Sequence, residues 1–230
     1  MFEFNHTSWV LLYRGDILIA GGRGARGYAI NTAFQYDFAS DSLTHESLMR
    51  DARDSCALVL WYDVVLAFGG LDGVALRSAE VYSLENASWH KLTSAPKDLG
   101  PTSAIASKDI IYVSGRWSDK VFTYAPKTGK YDYVYVNFHQ GFRVLAVEND
   151  ALFIMTRGET WRVKDNMGTK ISSVGYDSVG SNNSDDDWNI WPKGTPAHFE
   201  GRVIFNFEDG TVVEYNIPKN QYTRRRDFLN

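Results

Sequence analysis

An apolar segment that recurs five times constrains the fold of this 230-residue chain more than any other feature. The copies read, in chain order, GDILIAGG, YDVVLAFGG, KDIIYVSGR, NDALFIMTRG and EGRVIFNFED. Their second residues, which are 47, 46, 41 and 51 positions apart, are Asp16, Asp63, Asp109, Asp150 and Gly201. This period is too long for a hairpin and is typical of a fold that repeats one supersecondary unit.

A second landmark follows each copy at a regular distance. Four copies are followed by a short aromatic segment with a tyrosine, at Tyr36, Tyr82, Tyr124 and Tyr215. Seven residues further along the chain lie Leu43, Trp89, Tyr131 and Tyr222. The fourth copy is degenerate and has Arg162 and Thr169 at the equivalent positions. Because another apolar segment precedes every copy, each unit supplies four short strands.

These repeats predict an all-β fold, a β-propeller of about five four-stranded blades. A four-stranded unit cannot bury both faces alone, whereas radial stacking buries each face against a neighbour. The 13 Tyr, 13 Phe, 7 Trp and 19 Gly also favour strands and turns over helices. We expect one domain, 1–230, with blades at 6–49, 50–97, 98–136, 137–170 and 195–228 and a long loop at 171–196. The repeat count leaves open whether five blades close a ring.

The second unit resembles the kelch repeat. It contains, in kelch order, Arg53, Gly69, Gly70, Tyr82, Trp89 and Pro96. The resemblance extends over the whole chain through the five copies, although the double glycine is replaced in the last three by Gly115-Arg116, Arg157-Gly158 and Glu208-Asp209. It implies the propeller fold and, as in many kelch proteins, a role in binding protein partners.

We letter the four predicted strands of each unit A to D in chain order. Many arginines fall in the predicted connections between strands B and C and between strand D and strand A of the next unit. These connections lie at one end of an up-and-down blade. The candidate partner-binding residues are Arg23, Arg26, Arg53, Arg77, Arg116, Trp117 and Arg157, and Tyr28, Arg50 and Arg143 are expected on the same face. Guanidinium groups bind carboxylates or phosphates through paired hydrogen bonds, and aromatic rings supply stacking. The pattern favours a protein or peptide ligand with acidic groups.

Two interpretations of this arginine-rich face stay open. The kelch resemblance implies that arginines at equivalent repeat positions line a pocket that recognises a partner peptide, and Arg53 best matches such a position. Alternatively, the arginines are solvated or pair with carboxylates of the same face, which are Asp51, Asp54, Asp72 and Asp119.

Two classes of function are compatible with this reading. The first is a non-catalytic interaction module, which in kelch proteins often serves as the substrate-recognition part of a ubiquitin ligase through an attached BTB domain. These 230 residues contain no BTB segment, so that role requires sequence elsewhere. The second is a propeller enzyme acting on an acidic sugar, similar to the kelch-like sialic-acid mutarotases. The five scattered histidines form no catalytic motif, which favours the non-catalytic alternative.

Composition disfavours several other classes. The formal net charge of −4 gives no overall attraction to nucleic acid. No run of 18 apolar residues predicts a membrane span, and nothing indicates a metal or cofactor. The single cysteine, Cys56, is expected to be packed inside a strand and favours a cytoplasmic location. Gly22, Gly24 and Gly27 match the G-x-G-x-x-G of a dinucleotide site, but we expect a strand where such a site needs a helix.

The long connection at 171–196 carries an acidic run, Asp185 to Asp187, and two tryptophans, Trp188 and Trp191. One interpretation is that the acidic run caps the arginine-rich face or binds a cation. The other is that the acidic run is solvated and the two tryptophans pack on a blade. Arg224 to Arg226 are expected in the last strand or tail, where they would oppose edge pairing.

Overall fold

The computed structural model describes residues 9–13, 15–136, 141, 143–176, 192–207 and 211–225. This part of the chain forms 22 β-strands and contains no α-helix. Twenty strands belong to five four-stranded antiparallel sheets, and two form a small hairpin. Asp185 to Asp187, Trp188, Trp191 and Arg226 lie outside the described residues.

Each sheet is one blade, with its strands A to D in chain order. Blade 1 contains β1 (Trp9–Tyr13), β2 (Asp16–Ala20), β3 (Ala33–Asp37) and β4 (Ser42–Glu46). Blade 2 contains β5 (Ala57–Trp61), β6 (Val64–Phe68), β9 (Ala79–Ser83) and β10 (Ser88–Lys91), with the hairpin β7 (Leu71–Asp72) and β8 (Val74–Ala75) in its B-to-C loop.

The remaining three blades follow the same order. Blade 3 contains β11 (Thr102–Ser107), β12 (Ile110–Gly115), β13 (Val121–Ala125) and β14 (Lys130–Tyr133). Blade 4 contains β15 (Val144–Glu148), β16 (Ala151–Met155), β17 (Thr160–Lys164) and β18 (Met167–Ser172). Blade 5 contains β19 (Pro192–Phe199), β20 (Arg202–Phe207), β21 (Val212–Asn216) and β22 (Gln221–Arg225). The segment predicted as a loop at 171–196 therefore begins and ends within strands.

The five A strands close a ring. Strands β1, β5, β11, β15 and β19 lie beside one another in that order, and β19 lies beside β1 again. The molecule is thus a five-bladed β-propeller, as the repeats predicted, and the question of ring closure is answered by the contact between its first and last blades. Ring closure also leaves each blade covered on both faces by neighbours.

The seven-residue spacing between the sequence landmarks has a simple structural origin. Tyr82 of β9 lies directly opposite Trp89 of β10, and the other landmark pairs are also cross-strand partners. The ring centroids of Tyr82 and Trp89 are 5.2 Å apart, and those of Tyr215 and Tyr222 are 4.6 Å apart. Four residues join strands C and D in four of the blades and two join β17 to β18 in blade 4, but the register is the same in all five, so the landmark residue of strand C pairs with the residue seven positions later.

Among the residues that the structure describes, the buried apolar side chains form four clusters, each shared by two consecutive blades. They join blades 1 and 2, 2 and 3, 3 and 4, and 4 and 5. The landmark hydroxyls reach across these interfaces, because Tyr131 donates to the carbonyl of Thr93 at 3.2 Å and the Tyr82 hydroxyl contacts the carboxylate of Glu46. The core is therefore inter-blade, which explains why one repeat cannot fold alone.

The double glycine at the end of strand B lies where neighbouring backbone crosses closely. Gly69 and Gly70 have φ angles of 60° and 94°, and the N–H of Gly70 donates to the carbonyl of Gly100 at 2.9 Å. A Cβ on Gly70 would lie 2.5 Å from the carbonyl oxygen of Asp54. Both the left-handed backbone and the lack of space therefore require glycine at this corner.

We expect Ala87→Gly to raise the free energy of unfolding by about 0.5–1 kcal/mol. Ala87 ends the C-to-D turn of blade 2 with a φ of 46°, and the equivalent residue of blade 3 is Gly129 with a φ of 67°. Glycine relieves the strain of a left-handed alanine. Urea denaturation measures the change. Ala39→Gly, in the corresponding turn of blade 1 and without a positive φ, is the matched control and should lower stability instead.

Candidate binding face

The B-to-C loops and the D-to-A segments lie together at one end of the propeller, which we call the loop face. The antiparallel A-to-D order of every sheet places both kinds of connection there. All seven predicted partner-binding residues belong to these connections, but they differ in burial and in partners.

Arg53 is completely buried and serves the fold. Its guanidinium donates to the carboxylate of Glu80 at 2.6 Å and to the carbonyl of Gly69 at 2.7 Å. The same buried carboxylate accepts the backbone N–H groups of Arg50 and Asp51 at 2.7 and 3.0 Å. The structure thus places Arg53 in the interior and not among the exposed groups predicted to meet a partner: its two terminal nitrogens donate to neighbouring groups, and its Nε is buried without a hydrogen-bond partner.

Arg143 is the counterpart of Arg53 between blades 3 and 4. It is buried and donates to the hydroxyl of Ser114 and the carbonyl of Ser118, both at 3.1 Å. Burial lowers the pKa of Arg143 to about 10, so the side chain still carries its charge at neutral pH. Burial also lowers the pKa of the half-buried Arg116, and Tyr176 opposes that shift.

Arg23 bears out the alternative that loop-face arginines pair with nearby carboxylates. Its Nε lies 2.6 Å from the buried carboxylate of Asp54, which belongs to the segment between blades 1 and 2. The Arg23 side chain remains about half exposed. Arg26 and Tyr28 lie in the same B-to-C loop and are exposed. Arg157, in the corresponding loop of blade 4, is also exposed.

Arg77 and Trp117 come together in an open groove between blades 2 and 3, which we call the loop groove. Its volume is about 820 Å³. The groove is lined by Gly73, Val74, Ala75, Arg77, Pro96, Lys97, Asp98 and Trp117. These residues come from the B-to-C loop of blade 2, from the segment that enters blade 3, and from the B-to-C loop of blade 3.

The loop groove combines an aromatic surface with cationic groups. The indole ring of Trp117 is held against Gly100, where a Cβ would lie 3.0 Å from the ring, and the side chain remains 47% exposed. Arg77 is exposed and forms no ion pair with a carboxylate of the described residues. The ammonium of Lys97 lies 3.0 Å from the carboxylate of Asp119, and both are exposed. An exposed pair of this kind contributes little stability and separates readily.

Sequence reasoning identified Arg77 and Trp117 but missed Val74, Lys97 and Asp98 as their neighbours. The two last residues lie in the predicted connection between blades 2 and 3, so the loop assignment contained the necessary signal. Val74 likewise lies in the predicted B-to-C loop of blade 2, but the hairpin β7–β8 that exposes it involves tertiary pairing between Leu71 and Asp54.

No group of three His, Cys, Asp or Glu side chains among the described residues is arranged to hold a metal ion. Cys56 is buried, and burial raises its pKa to about 12, so it is a packed thiol. The Gly22–Gly27 loop is followed by the strand β3, as predicted, and not by a helix. In the described ranges, no helix is long and apolar enough to cross a bilayer.

The closed ring of five four-stranded blades defines the class of protein as a β-propeller. The family model described as kelch motif matches residues 52–96, which correspond to blade 2. Blade 2 is thus similar to the kelch motif, and its landmarks recur around the ring.

Two comparisons place the chain among known proteins. Alpha-scruin from Limulus polyphemus is 32% identical over 111 residues, which cover 45% of this chain and only 12% of that much longer protein. A solved structure described as "Structure of YjhT" superposes with a TM-score of 0.73 and covers 96% of this chain and 84% of its own, at 9% identity. The second similarity concerns the fold alone.

Proposed function

We propose that this propeller is a non-catalytic protein-interaction module that binds an acidic segment of a partner protein in the loop groove. The observation that carries the proposal is that exposed Arg77 and exposed Trp117, from adjacent blades, line one groove of about 820 Å³. Kelch-repeat proteins generally bind protein partners, which supports the same class of function. A cytoplasmic setting is part of the proposal and agrees with the unpaired Cys56.

The residue types in the groove are those that concentrate binding energy. Tryptophan and arginine dominate interface hot spots, because a large ring and a planar five-donor group lose little freedom for the contacts they make. The guanidinium of Arg77 suits a carboxylate through paired hydrogen bonds. The Trp117 ring offers an apolar surface for a neighbouring aliphatic or aromatic side chain of the partner.

Charges around the groove support steering and selectivity. Arg26 and Arg157 are exposed on the same face and add to the positive potential that an acidic segment meets on approach. Lys97 becomes a second cationic contact when a ligand carboxylate competes with Asp119. Asp98, on the groove wall, would repel a poorly placed acidic residue and so select the spacing of acidic groups in the partner.

Peptides selected on this propeller from a random phage-displayed library test the proposal. We expect Trp117→Ala and Arg77→Ala each to weaken binding of a selected peptide by about tenfold or more, as expected for hot-spot residues. Isothermal titration calorimetry measures the affinities, and increasing salt should weaken binding to the wild-type chain. Tyr135→Ala is the matched control, since Tyr135 is similarly exposed but lies beside Met167 at the outer edge of blades 3 and 4.

Unchanged binding by both groove variants would contradict the proposal. Turnover of sialic acid that is abolished by Arg77→Ala would instead favour an enzyme acting on an acidic sugar. A ubiquitin-ligase adaptor role is a narrower form of the proposal, and it requires that a BTB domain accompany this propeller in the same protein. Co-purification of a cullin with the intact protein tests that form.

A further inference from the structure

The hairpin β7–β8 forms one wall of the loop groove, and its two edges differ. On the β7 edge, Leu71 exchanges two backbone hydrogen bonds with Asp54, at 2.8 and 2.9 Å. That edge is therefore already paired with the segment entering blade 2. On the β8 edge, Gly73, Val74 and Ala75 line the groove.

The register of the hairpin defines what the β8 edge presents. Ala75 lies opposite Leu71, and the adjacent ladder bond runs from the N–H of Leu76 to the carbonyl of Gly70 at 2.9 Å. Leu71 and Ala75 therefore form a non-hydrogen-bonded pair of an antiparallel ladder. In such a pair the backbone groups point away from the partner strand, so the N–H and C=O of Ala75 lie on the open edge of the hairpin.

The length of this open edge is limited by the blade below it. The carbonyls of Leu76 and Arg77 accept the N–H groups of Leu99 and Ala95 at 3.1 and 2.8 Å. Backbone pairing on the groove side is thus confined to the hairpin around Ala75. A bound segment would pair with the protein over a few residues there and would depend on side-chain contacts with Arg77 and Trp117 beyond them.

We propose that the acidic partner segment binds as an extended strand added to the open edge of β8, with backbone hydrogen bonds to Ala75. This inference rests on the proposed function and specifies its binding mode. Strand addition uses main-chain hydrogen bonds for affinity and alternating side chains for specificity. Alternation places one side chain of the segment toward Trp117 and directs its acidic neighbours toward Arg77 and Lys97, which match them in charge.

Ala75→Pro isolates the backbone contribution. Proline removes the N–H of Ala75, which the hairpin does not use, and proline is tolerated on an edge strand when its nitrogen faces outward. The probe is a synthetic peptide selected on the wild-type propeller from the random library. We expect Ala75→Pro to weaken its binding by about tenfold, whereas the matched control Ala75→Ser, which keeps the N–H, changes it by less than about threefold.

Amide hydrogen exchange gives a second measurement on the unmodified chain. The N–H of Ala75 should exchange more slowly once the peptide is bound, and N-methylation of the peptide nitrogen that pairs with Ala75 should weaken binding. Both results would support strand addition even if Ala75→Pro disturbed the hairpin.

The outcomes separate the binding mode from the function. Unslowed exchange at Ala75, together with full binding by Ala75→Pro, would overturn strand addition, while sensitivity to Trp117→Ala would still support the proposed function. A selected peptide that is insensitive to Trp117→Ala and Arg77→Ala, or a library that yields no binding peptide, would overturn both.

Discussion

Glu80→Gln is expected to lower the free energy of unfolding by about 3–5 kcal/mol, the largest effect of any single change considered for this protein. Glu80 and Arg53 are fully buried and lie 2.6 Å apart. The neutral amide removes the nearer of the two carboxylates beside the Arg53 guanidinium, so the buried cation keeps only the carboxylate of Asp51, at 3.6 Å, as a counter-charge. A poorly compensated buried charge costs far more than the loss of one hydrogen bond.

Urea denaturation measures this effect, and an exposed ion pair provides the control. Lys127 and Asp109 form a close pair at the opposite end of the propeller, with about two thirds of each side chain exposed. Asp109→Asn should therefore change the free energy of unfolding by less than about 1 kcal/mol. Equal effects of Glu80→Gln and Asp109→Asn would refute the structural role of the buried pair.

A double substitution sharpens the test. Replacing both Arg53 and Glu80 by methionine removes the two charges together, so it should cost less than the sum of the single changes. This result would also show why Arg53→Ala is unsuitable for mapping a partner site. Loss of binding in that variant would reflect a damaged blade and not a lost contact.

Gly70→Ala is expected to lower the free energy of unfolding by about 2–4 kcal/mol, which combines backbone strain with overpacking. Gly70 has a φ of 94°, and a Cβ there would lie 2.5 Å from the carbonyl oxygen of Asp54 and 3.0 Å from Cβ of Cys56. The crowding is against backbone, which cannot rotate away as a flexible side chain does.

Gly73→Ala separates the two causes. Gly73 has a φ of 69°, but a Cβ there meets no atom within 4 Å. This variant should lose only about 1 kcal/mol, which is the strain of a left-handed alanine. A Gly70→Ala variant as stable as Gly73→Ala would show that the close approach at the double-glycine corner has no energetic consequence.

The fold was predictable from the sequence because its determinants are local and repeated. The seven-residue distance from Tyr82 to Trp89 reflects one C-to-D turn, and the same distance recurs in every blade. The double glycine likewise marks a corner where the backbone has a positive φ and there is no space for a side chain. In blade 4 the landmark positions are occupied by Arg162 and Thr169 and not by aromatic residues. They are still cross-strand partners, since the register of strands C and D is the same there.

The sequence predicted which end of the propeller carries the candidate site, but not which of its residues are exposed there. Strand order assigns Arg23, Arg53, Arg77 and Trp117 to the loop face, because alternating strand direction sends all such connections to one end. It does not distinguish Arg53, which is enclosed against Glu80, from Arg77, which is exposed. That difference depends on the distance from each guanidinium to carboxylates on other strands.

The sequence by itself determined a series of repeated four-stranded blades, since period, spacing and glycine corners are properties of neighbouring residues. Only the tertiary structure decided that five blades close, that Arg53 is a structural cation, and that Trp117 and Arg77 line one groove with Ala75. Each of these depends on contacts between residues far apart in the chain. Their energies depend on burial and relative position, which no local pattern encodes.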